Sequence, residues 1–204
     1  MDMRKYTRIP VLGSVLAMGL VLSLSGCAGQ SASDQSTGSS ASGSAAQTEE
    51  AEQEVFPSFS GSDLDGNAVE SSVLFSQNKV TVVNFWFSGC SACVDELPAL
   101  NVLNNKLVKM GGELVAINTD TLDGSKGSIE TAQKILKDNE AAFRNIRFEK
   151  EGEIGDFVGG IAAYPTTYVV DSAGNIVGDP ILGDLENAEN LKRLEDSIAR
   201  ALEG

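Results

Sequence analysis

Two cysteines separated by two residues, Cys90 and Cys93, are the side chains in this chain best suited to chemistry. They follow a β-branched and aromatic run over residues 80–87, and apolar residues recur after them at helical spacing. A cysteine where a strand ends and a helix begins lies near free N–H groups and the positive end of the helix dipole, which stabilise a thiolate. The spacing therefore predicts a redox-active disulfide in which Cys90, at the helix tip, attacks a substrate and Cys93 resolves the mixed disulfide.

Half of a zinc site and a purely structural disulfide are the other uses of such a pair. Zinc needs two more ligands, but the chain has no histidine and one further cysteine, Cys27. A disulfide that closes so small a loop restricts the unfolded chain very little, so its benefit to stability is small. Redox chemistry is the prediction, and a non-enzymatic binding lipoprotein with a static disulfide is the alternative.

Composition excludes several classes of function. The formal net charge is −14, with 29 acidic and 15 basic residues, whereas nucleic-acid binding needs clustered Lys and Arg. The absence of histidine removes the commonest general base and most catalytic metal sites. We expect a monomer with no metal, no cofactor and no nucleic-acid partner.

Residues 1–26 have the pattern of a signal peptide, because three basic residues precede an apolar run over 11–24 that is short for a membrane span. The run ends in Leu24-Ser25-Gly26-Cys27, which resembles the lipobox of bacterial lipoproteins. The alternative is an ordinary signal peptide with a chance cysteine. We predict that Cys27 carries a lipid and holds an exported domain at the extracytoplasmic face of the cell membrane.

The remaining chain divides into a tether and one domain. Residues 27–54 are rich in Ser, Ala, Gly, Gln and Glu without an apolar period, which predicts a disordered tether. Residues 55–204 have the patterns of a globular domain, with strands predicted over 80–87, 114–118 and 166–170 and a hairpin partner over 175–178. Helices are predicted after Cys93, over 128–143 and over 187–202. The apolar residues of the last helix that should face inward are Leu191, Leu194, Ile198 and Leu202. This order predicts an α/β domain, a mixed central sheet with helices on both faces.

Residues 82–98, VVNFWFSGCSACVDELP, resemble the active-site segment of thioredoxin-fold proteins of the TlpA/ResA type. Residues 164–167 and the hairpin over 170–177 strengthen the resemblance. The resemblance implies a thioredoxin fold and a membrane-tethered reductase of exported, disulfide-bearing proteins such as apocytochrome c or methionine sulfoxide reductase. It also implies a membrane electron donor of the CcdA or DsbD type.

The resemblance assigns roles to further residues. Pro165 is expected to be cis and to face the cysteines, with Tyr164 and Trp86 beside it in the substrate-binding site. Glu96 is expected to relay a proton to or from Cys93; its alternative is an ordinary acidic residue near a helix N-terminus. Asn84 stands where thioredoxin itself has a buried aspartate.

At two positions before Cys90 this chain differs from the residues usual in the two enzyme classes considered. The TlpA/ResA type usually has Trp immediately before the first cysteine, and here that residue is Gly89. Peroxiredoxins, the competing enzyme class, usually carry Thr three residues before their reactive cysteine, and here that residue is Phe87. The absence of His between the cysteines favours a reductase over an oxidant of the DsbA type, because a His there stabilises the thiolate and raises the potential.

Overall fold

The computed structural model describes residues 53–204. The predicted signal peptide over 1–26, Cys27 and nearly all of the predicted tether over 27–54 lie outside the described residues. Within residues 53–204, no helix is both long enough and apolar enough to cross a membrane.

Seven strands and five α-helices form within this part of the chain. The strands are β1 (Ser60–Asp63), β2 (Ala68–Glu70), β3 (Val80–Trp86), β4 (Glu113–Asn118), β5 (Arg144–Phe148), β6 (Thr166–Asp171) and β7 (Ile181–Leu182). The helices are α1 (Ser71–Ser76), α2 (Ser91–Lys109), α3 (Lys126–Asp138), α4 (Gly152–Gly159) and α5 (Ala188–Glu203), with a 3-10 helix over Thr119–Asp123.

The strands form one mixed sheet in the order β2-β1-β5-β4-β3-β6-β7. The strand β3 pairs in parallel with β4 and antiparallel with β6, so hydrogen-bonded neighbours flank it on both sides. All seven residues of β3 are buried, which explains why its sequence is nearly continuous in apolar residues. The end of β3 is therefore a rigid platform for the residues that follow it.

Alternation along β3 divides the core into two clusters, because successive side chains of a strand point to opposite faces. Val82 and Trp86 pack with apolar residues of α2, α3 and α5. Val83 and Phe85 pack on the other face with apolar residues of α1 and α4. Helices thus cover both faces of a mixed sheet, and the predicted architecture is confirmed.

Several short elements were not predicted: β1, β2, β5, β7, α1 and α4. Strands of two to five residues and helices of six and eight are too short to show a clear period. The helix predicted over 128–143 is wrong at its C-terminal end, since α3 stops at Asp138. There Ala141 N–H donates to the Leu136 carbonyl at 2.9 Å across Glu140, which has a φ of 54°.

The hairpin prediction is half correct. The turn forms at Asp171, whose Oδ1 accepts the N–H groups of Ala173 and Asn175 at 2.9 Å each. Residues 175–178 make one bridge to β6, from Ile176 to Val170, and are not a full strand. On its other side, this segment is hydrogen-bonded to the chain near residue 55, where the Ile176 N–H donates to the Glu54 carbonyl at 2.7 Å.

The C-terminal helix α5 begins at its predicted place. Asn187 caps it, since Asn187 Oδ1 accepts the Glu189 N–H at 2.9 Å. Leu194 and Ile198 are buried as predicted, whereas Leu191 is 39% exposed and was wrongly placed inward. The buried face of α5 starts one turn later than the apolar period suggested.

Candidate active site

The cysteine pair lies where β3 passes into α2. A turn follows Trp86, closed by the Cys90 N–H donating to the Phe87 carbonyl at 3.1 Å. Cys90 is the N-cap residue of α2, and its Sγ accepts the Cys93 N–H at 3.2 Å. The two cysteines form a disulfide, with their Cα atoms 5.3 Å apart. The sulfur of Cys90 thus faces the N–H groups of the first turn, where a thiolate is favoured.

The two sulfur-bearing residues differ in accessibility. Cys90 is 8% exposed, whereas Cys93 is 0% exposed and packs in the same core cluster as α2 and α5. Only Cys90 therefore offers a surface to another protein. This asymmetry is the geometry expected of an attacking and a resolving thiol.

Pro165 lies at the start of β6, on the side of β3. The peptide bond between Tyr164 and Pro165 is cis, as the resemblance implied. The pairing of Phe85 with Thr166 places Pro165 opposite the end of β3, where the chain leads into the cysteines. Tyr164 is partly buried and packs against the cluster that contains both cysteines. The structure therefore places the predicted proline loop next to the end of β3, from which the chain leads to the disulfide.

Glu96 is 1% exposed, one turn beyond Cys93 on α2. Its Oε1 accepts a hydrogen bond from Asn84 Nδ2 at 3.0 Å, and its Oε2 accepts one from the Leu185 N–H at 3.0 Å. Its neighbour Asp95 is exposed. A carboxyl buried between a strand, a helix and a loop is unlike the ordinary acidic residue near a helix N-terminus that was the alternative.

Burial raises the pKa of Glu96 to about 7, against the lowering effect of the Leu185 and Asn84 hydrogen bonds; the charges of Asp184 and Glu186 raise it further. Asn84 Nδ2 also donates to Thr167 Oγ1 at 3.0 Å. Asn84 Oδ1 is buried and has no hydrogen-bond partner among the described residues. The carboxyl can therefore exchange a proton near neutral pH, with an unused acceptor beside it.

Trp86 does not belong to a substrate-binding surface, and that prediction is wrong. The side chain is fully buried, and its Nε1–H donates to Asn145 Oδ1 at 2.8 Å. The alternation of β3 points Trp86 into the core beneath the cysteines. Its indole therefore supports the junction from below and is out of reach of a partner protein.

The loop before Cys90 is held by residues that sequence reasoning missed. Ser88 N–H donates to Asp120 Oδ2 at 2.9 Å, and Asn118 Nδ2 donates to Ser88 Oγ at 3.2 Å. Asn118 could have been found, because it ends the predicted strand parallel to β3, and such strand ends meet at one edge. Leu185, whose N–H donates to Glu96, could not have been found from the sequence, because it lies 89 residues from Glu96 and contributes only its backbone.

Comparison with known proteins agrees with this geometry. Residues 53–178 match the AhpC/TSA family. The chain belongs to this family. It is 27% identical over 144 residues to the thiol-disulfide oxidoreductase ResA of Bacillus thuringiensis, covering 71% of this chain and 75% of the relative. It is 26% identical to the thiol:disulfide interchange protein DsbE homolog of Paracoccus denitrificans, covering 70% and 75%.

A solved structure shares the fold. The thiol:disulfide interchange protein DsbE of Chlorobium tepidum superposes with a TM-score of 0.58 at 27% identity, covering 74% of this chain and 96% of that one. The thioredoxin-like fold and the resemblance to ResA-type proteins are therefore confirmed. The protein is a thiol-disulfide oxidoreductase of the ResA/DsbE type.

The raised pKa of Glu96 predicts how stability depends on pH. A carboxyl with a pKa near 7 when folded and 4.5 when unfolded binds more protons in the native state between these values. The free energy of unfolding should therefore fall by about 3 kcal/mol as pH rises through this window. Glu96→Gln should abolish this part of the pH dependence, measured by denaturant unfolding of the oxidised protein with the fluorescence of the single, buried Trp86.

The exposed neighbour provides the control for this experiment. Asp95→Asn removes a carboxylate from the same turn of α2 and should keep the wild-type slope. Parallel curves for wild type and Glu96→Gln between pH 4.5 and 8 would show that Glu96 titrates as an ordinary carboxyl.

Proposed function

We propose that this protein is a membrane-anchored, extracytoplasmic reductase of disulfide bonds in exported proteins, with Cys90 and Cys93 as its reacting pair. The observation that carries the proposal is the disulfide at the N-terminus of α2, of which only Cys90 reaches the surface. Relatives named thiol-disulfide oxidoreductase and thiol:disulfide interchange protein support it.

The reaction begins from the dithiol. The Cys90 thiolate attacks one sulfur of a substrate disulfide, which forms a mixed disulfide and releases the other substrate sulfur as a thiolate that takes up a proton. Cys93 loses its proton and attacks the Cys90 sulfur, which releases the second substrate sulfur as a thiolate that takes up a proton, and leaves the Cys90–Cys93 disulfide seen in the structure. In each cycle two electrons pass to the substrate, and the two protons that it takes up balance those lost by Cys90 and Cys93.

Glu96 is proposed to take the proton from Cys93. Cys93 is fully buried, so water cannot accept its proton directly, and Glu96 lies one turn along the same helix. A protonated Glu96 needs a hydrogen-bond acceptor. Rotation of the Asn84 amide would present Oδ1, the atom without a partner, to the new O–H group while Thr167 turns its hydroxyl into a donor.

Tyr164 and Pro165 are proposed to receive the substrate. Tyr164 and Pro165 come directly before β6, whose first residue pairs with Phe85 near the end of β3, so their backbone adjoins the segment that leads to Cys90. An extended substrate segment can then add to this backbone as a short strand, which aligns the substrate disulfide with the Cys90 sulfur.

The direction of electron flow is proposed from the thiolate environment. Residues 91 and 92, between the cysteines, are Ser and Ala, and neither adds a positive charge to stabilise Cys90. A less stabilised thiolate means a lower potential, which suits a reductant. Regeneration of the dithiol requires two electrons, which we assign to a membrane donor of the CcdA or DsbD type. The lipobox at Cys27 supports a location beside such a donor.

Trapping of intermediates tests the assignment of the two cysteines. Cys93→Ala should accumulate mixed disulfides with substrate proteins, because the buried thiol that resolves them is gone. Cys90→Ala should accumulate almost none, because Cys93 has no exposed surface. The measurement is non-reducing electrophoresis of alkylated cell extracts, followed by identification of the captured proteins.

Three results would contradict the assignment. Equal trapping by both variants would remove the roles of attacker and resolver. A reduction potential below about −300 mV would indicate a structural disulfide. Rapid consumption of peroxide by the reduced protein, with slow reduction of disulfides, would indicate a peroxidase.

The rate of exchange should report the protonation of Glu96. In wild type kcat/KM for disulfide reduction should rise with pH through an inflection near 7, because ionised Glu96 is the form that accepts a proton. Glu96→Gln should remove that inflection and slow exchange by about 100-fold. Asn84→Ala removes a donor that favours the ionised form, so its inflection should move to higher pH.

The control again uses the exposed acid of the same turn. Asp95→Asn should leave both rate and profile unchanged. An unaltered profile in Glu96→Gln would leave the carboxyl without a role in proton transfer.

Anchoring at Cys27 is tested by replacing that residue. Cys27→Ala should remove lipid labelling and, because the proposed donor is in the membrane, increase the fraction of the domain found as the disulfide. The measurements are labelling with a fatty-acid probe, fractionation, and thiol trapping in growing cells. Cys90→Ala should stay labelled and membrane-bound, and a Cys27→Ala variant that still takes up the probe would refute the lipid site.

A further inference from the structure

The missing tryptophan before Cys90 has a structural counterpart. Gly89 is exposed, and a Cβ atom placed there would lie 3.2 Å from Cε2 and 3.5 Å from Cδ2 of the Phe87 ring. The ring of Phe87 therefore lies against the backbone of Gly89, in space that the start of a side chain at 89 would need. The absence of a side chain at Gly89 thus leaves room for the ring of Phe87.

A second aromatic ring completes a surface beside Cys90. The rings of Phe87 and Tyr164 are 5.3 Å apart and inclined by 85°, an edge-to-face contact. Both are partly buried and pack against the core cluster that contains Cys90 and Cys93. One ring comes from the turn that precedes the attacking cysteine and the other from the residue before Pro165. The pair thus joins the segment that leads to Cys90 to the segment that we propose receives the substrate.

Hydrogen bonds hold the backbone that carries the Phe87 ring. The Phe87 carbonyl accepts the Cys90 N–H at 3.1 Å. The next residue, Ser88, is held by Asp120 at 2.9 Å and by Asn118 at 3.2 Å. A ring that is carried by such a backbone and packs against Tyr164 has little conformational freedom to lose on binding, which makes its apolar contact effective.

We propose that the Phe87–Tyr164 ring pair is the substrate-selecting surface of this enzyme, which favours disulfides whose cysteine is flanked by an apolar side chain. The ring of Phe87 lies against Gly89, where the TlpA/ResA type usually has Trp, so Phe87 takes the place of a side chain at 89. The assignment rests on the proposed function, because it presumes that Cys90 attacks protein disulfides. Phe87 and Tyr164 act in selection and leave the sulfur chemistry to the cysteines.

The test compares disulfide substrates that differ only beside the cysteine. The reduced full chain is assayed on disulfide-linked dimers of short peptides that carry Leu, Phe or Ser before the cysteine, and on hydroxyethyl disulfide, which has no flanking side chain. Wild type should prefer the Leu and Phe peptides to the Ser peptide by about tenfold in kcat/KM. Phe87→Ala should bring this ratio close to one and leave hydroxyethyl disulfide within about twofold.

Further variants separate selection from folding. Phe87→Leu keeps most of the apolar volume without the ring, so it should weaken the preference for the Phe peptide in particular. The double variant Phe87→Ala/Gly89→Trp should regain the apolar preference, because removal of the ring opens space for a side chain at 89. Val102→Ala, at an exposed position elsewhere on α2, should match wild type on every substrate.

The outcomes distinguish this inference from the function it rests on. An unchanged ratio in Phe87→Ala and Phe87→Leu, or an equal loss on hydroxyethyl disulfide, would overturn the role in selection while reduction itself stands. A double variant with the same ratio as Phe87→Ala would overturn the idea that Phe87 takes the place of a side chain at 89. A wild-type protein that reduces none of the disulfides would overturn the proposed function, and this inference with it.

Discussion

The cap that Cys90 places on α2 is the contact on which the rest of the site depends. Its sulfur accepts the Cys93 N–H at 3.2 Å, so one atom is the helix cap, a partner in the disulfide and, in the proposed reaction, the nucleophile. This is possible because β3 is buried along its whole length and ends one short turn earlier. Any shift of β3 would move the sulfur away from the helix N-terminus that stabilises its thiolate.

The carboxyl of Glu96 shows how burial and hydrogen bonding compete in the same core. Burial favours the neutral acid, whereas Asn84 and Leu185 donate to the charged form, and burial prevails to give a pKa of about 7. Three elements meet at this group: β3, α2 and, 89 residues further along the chain, the loop before α5. A carboxyl in such a balance changes its protonation in response to small changes nearby, which is what a proton relay beside a thiol requires.

Much of this arrangement could be predicted from the sequence because its central parts are local. A continuous apolar strand, the spacing of Cys90 and Cys93 and the helical period after them fix the junction within about 30 residues. The predicted cis bond at Pro165 depended on resemblance, since an isolated X-Pro bond is cis in only about 5–6% of cases. Trp86 was misjudged because proximity to the cysteines in sequence hid the alternation of the strand, which turns its ring inward.

What could not be predicted depends on pairing between distant segments. The bond from Leu185 to Glu96 uses a backbone N–H, which leaves no mark on residue type. Asn84 shows the consequence most clearly: its Nδ2 donates both to Glu96 and to Thr167, two residues after Pro165. A change in the protonation of Glu96 must therefore be accommodated by the strand that leads from the proline loop. Through this one amide, the acid one turn beyond Cys93 is linked to the segment that we propose receives the substrate.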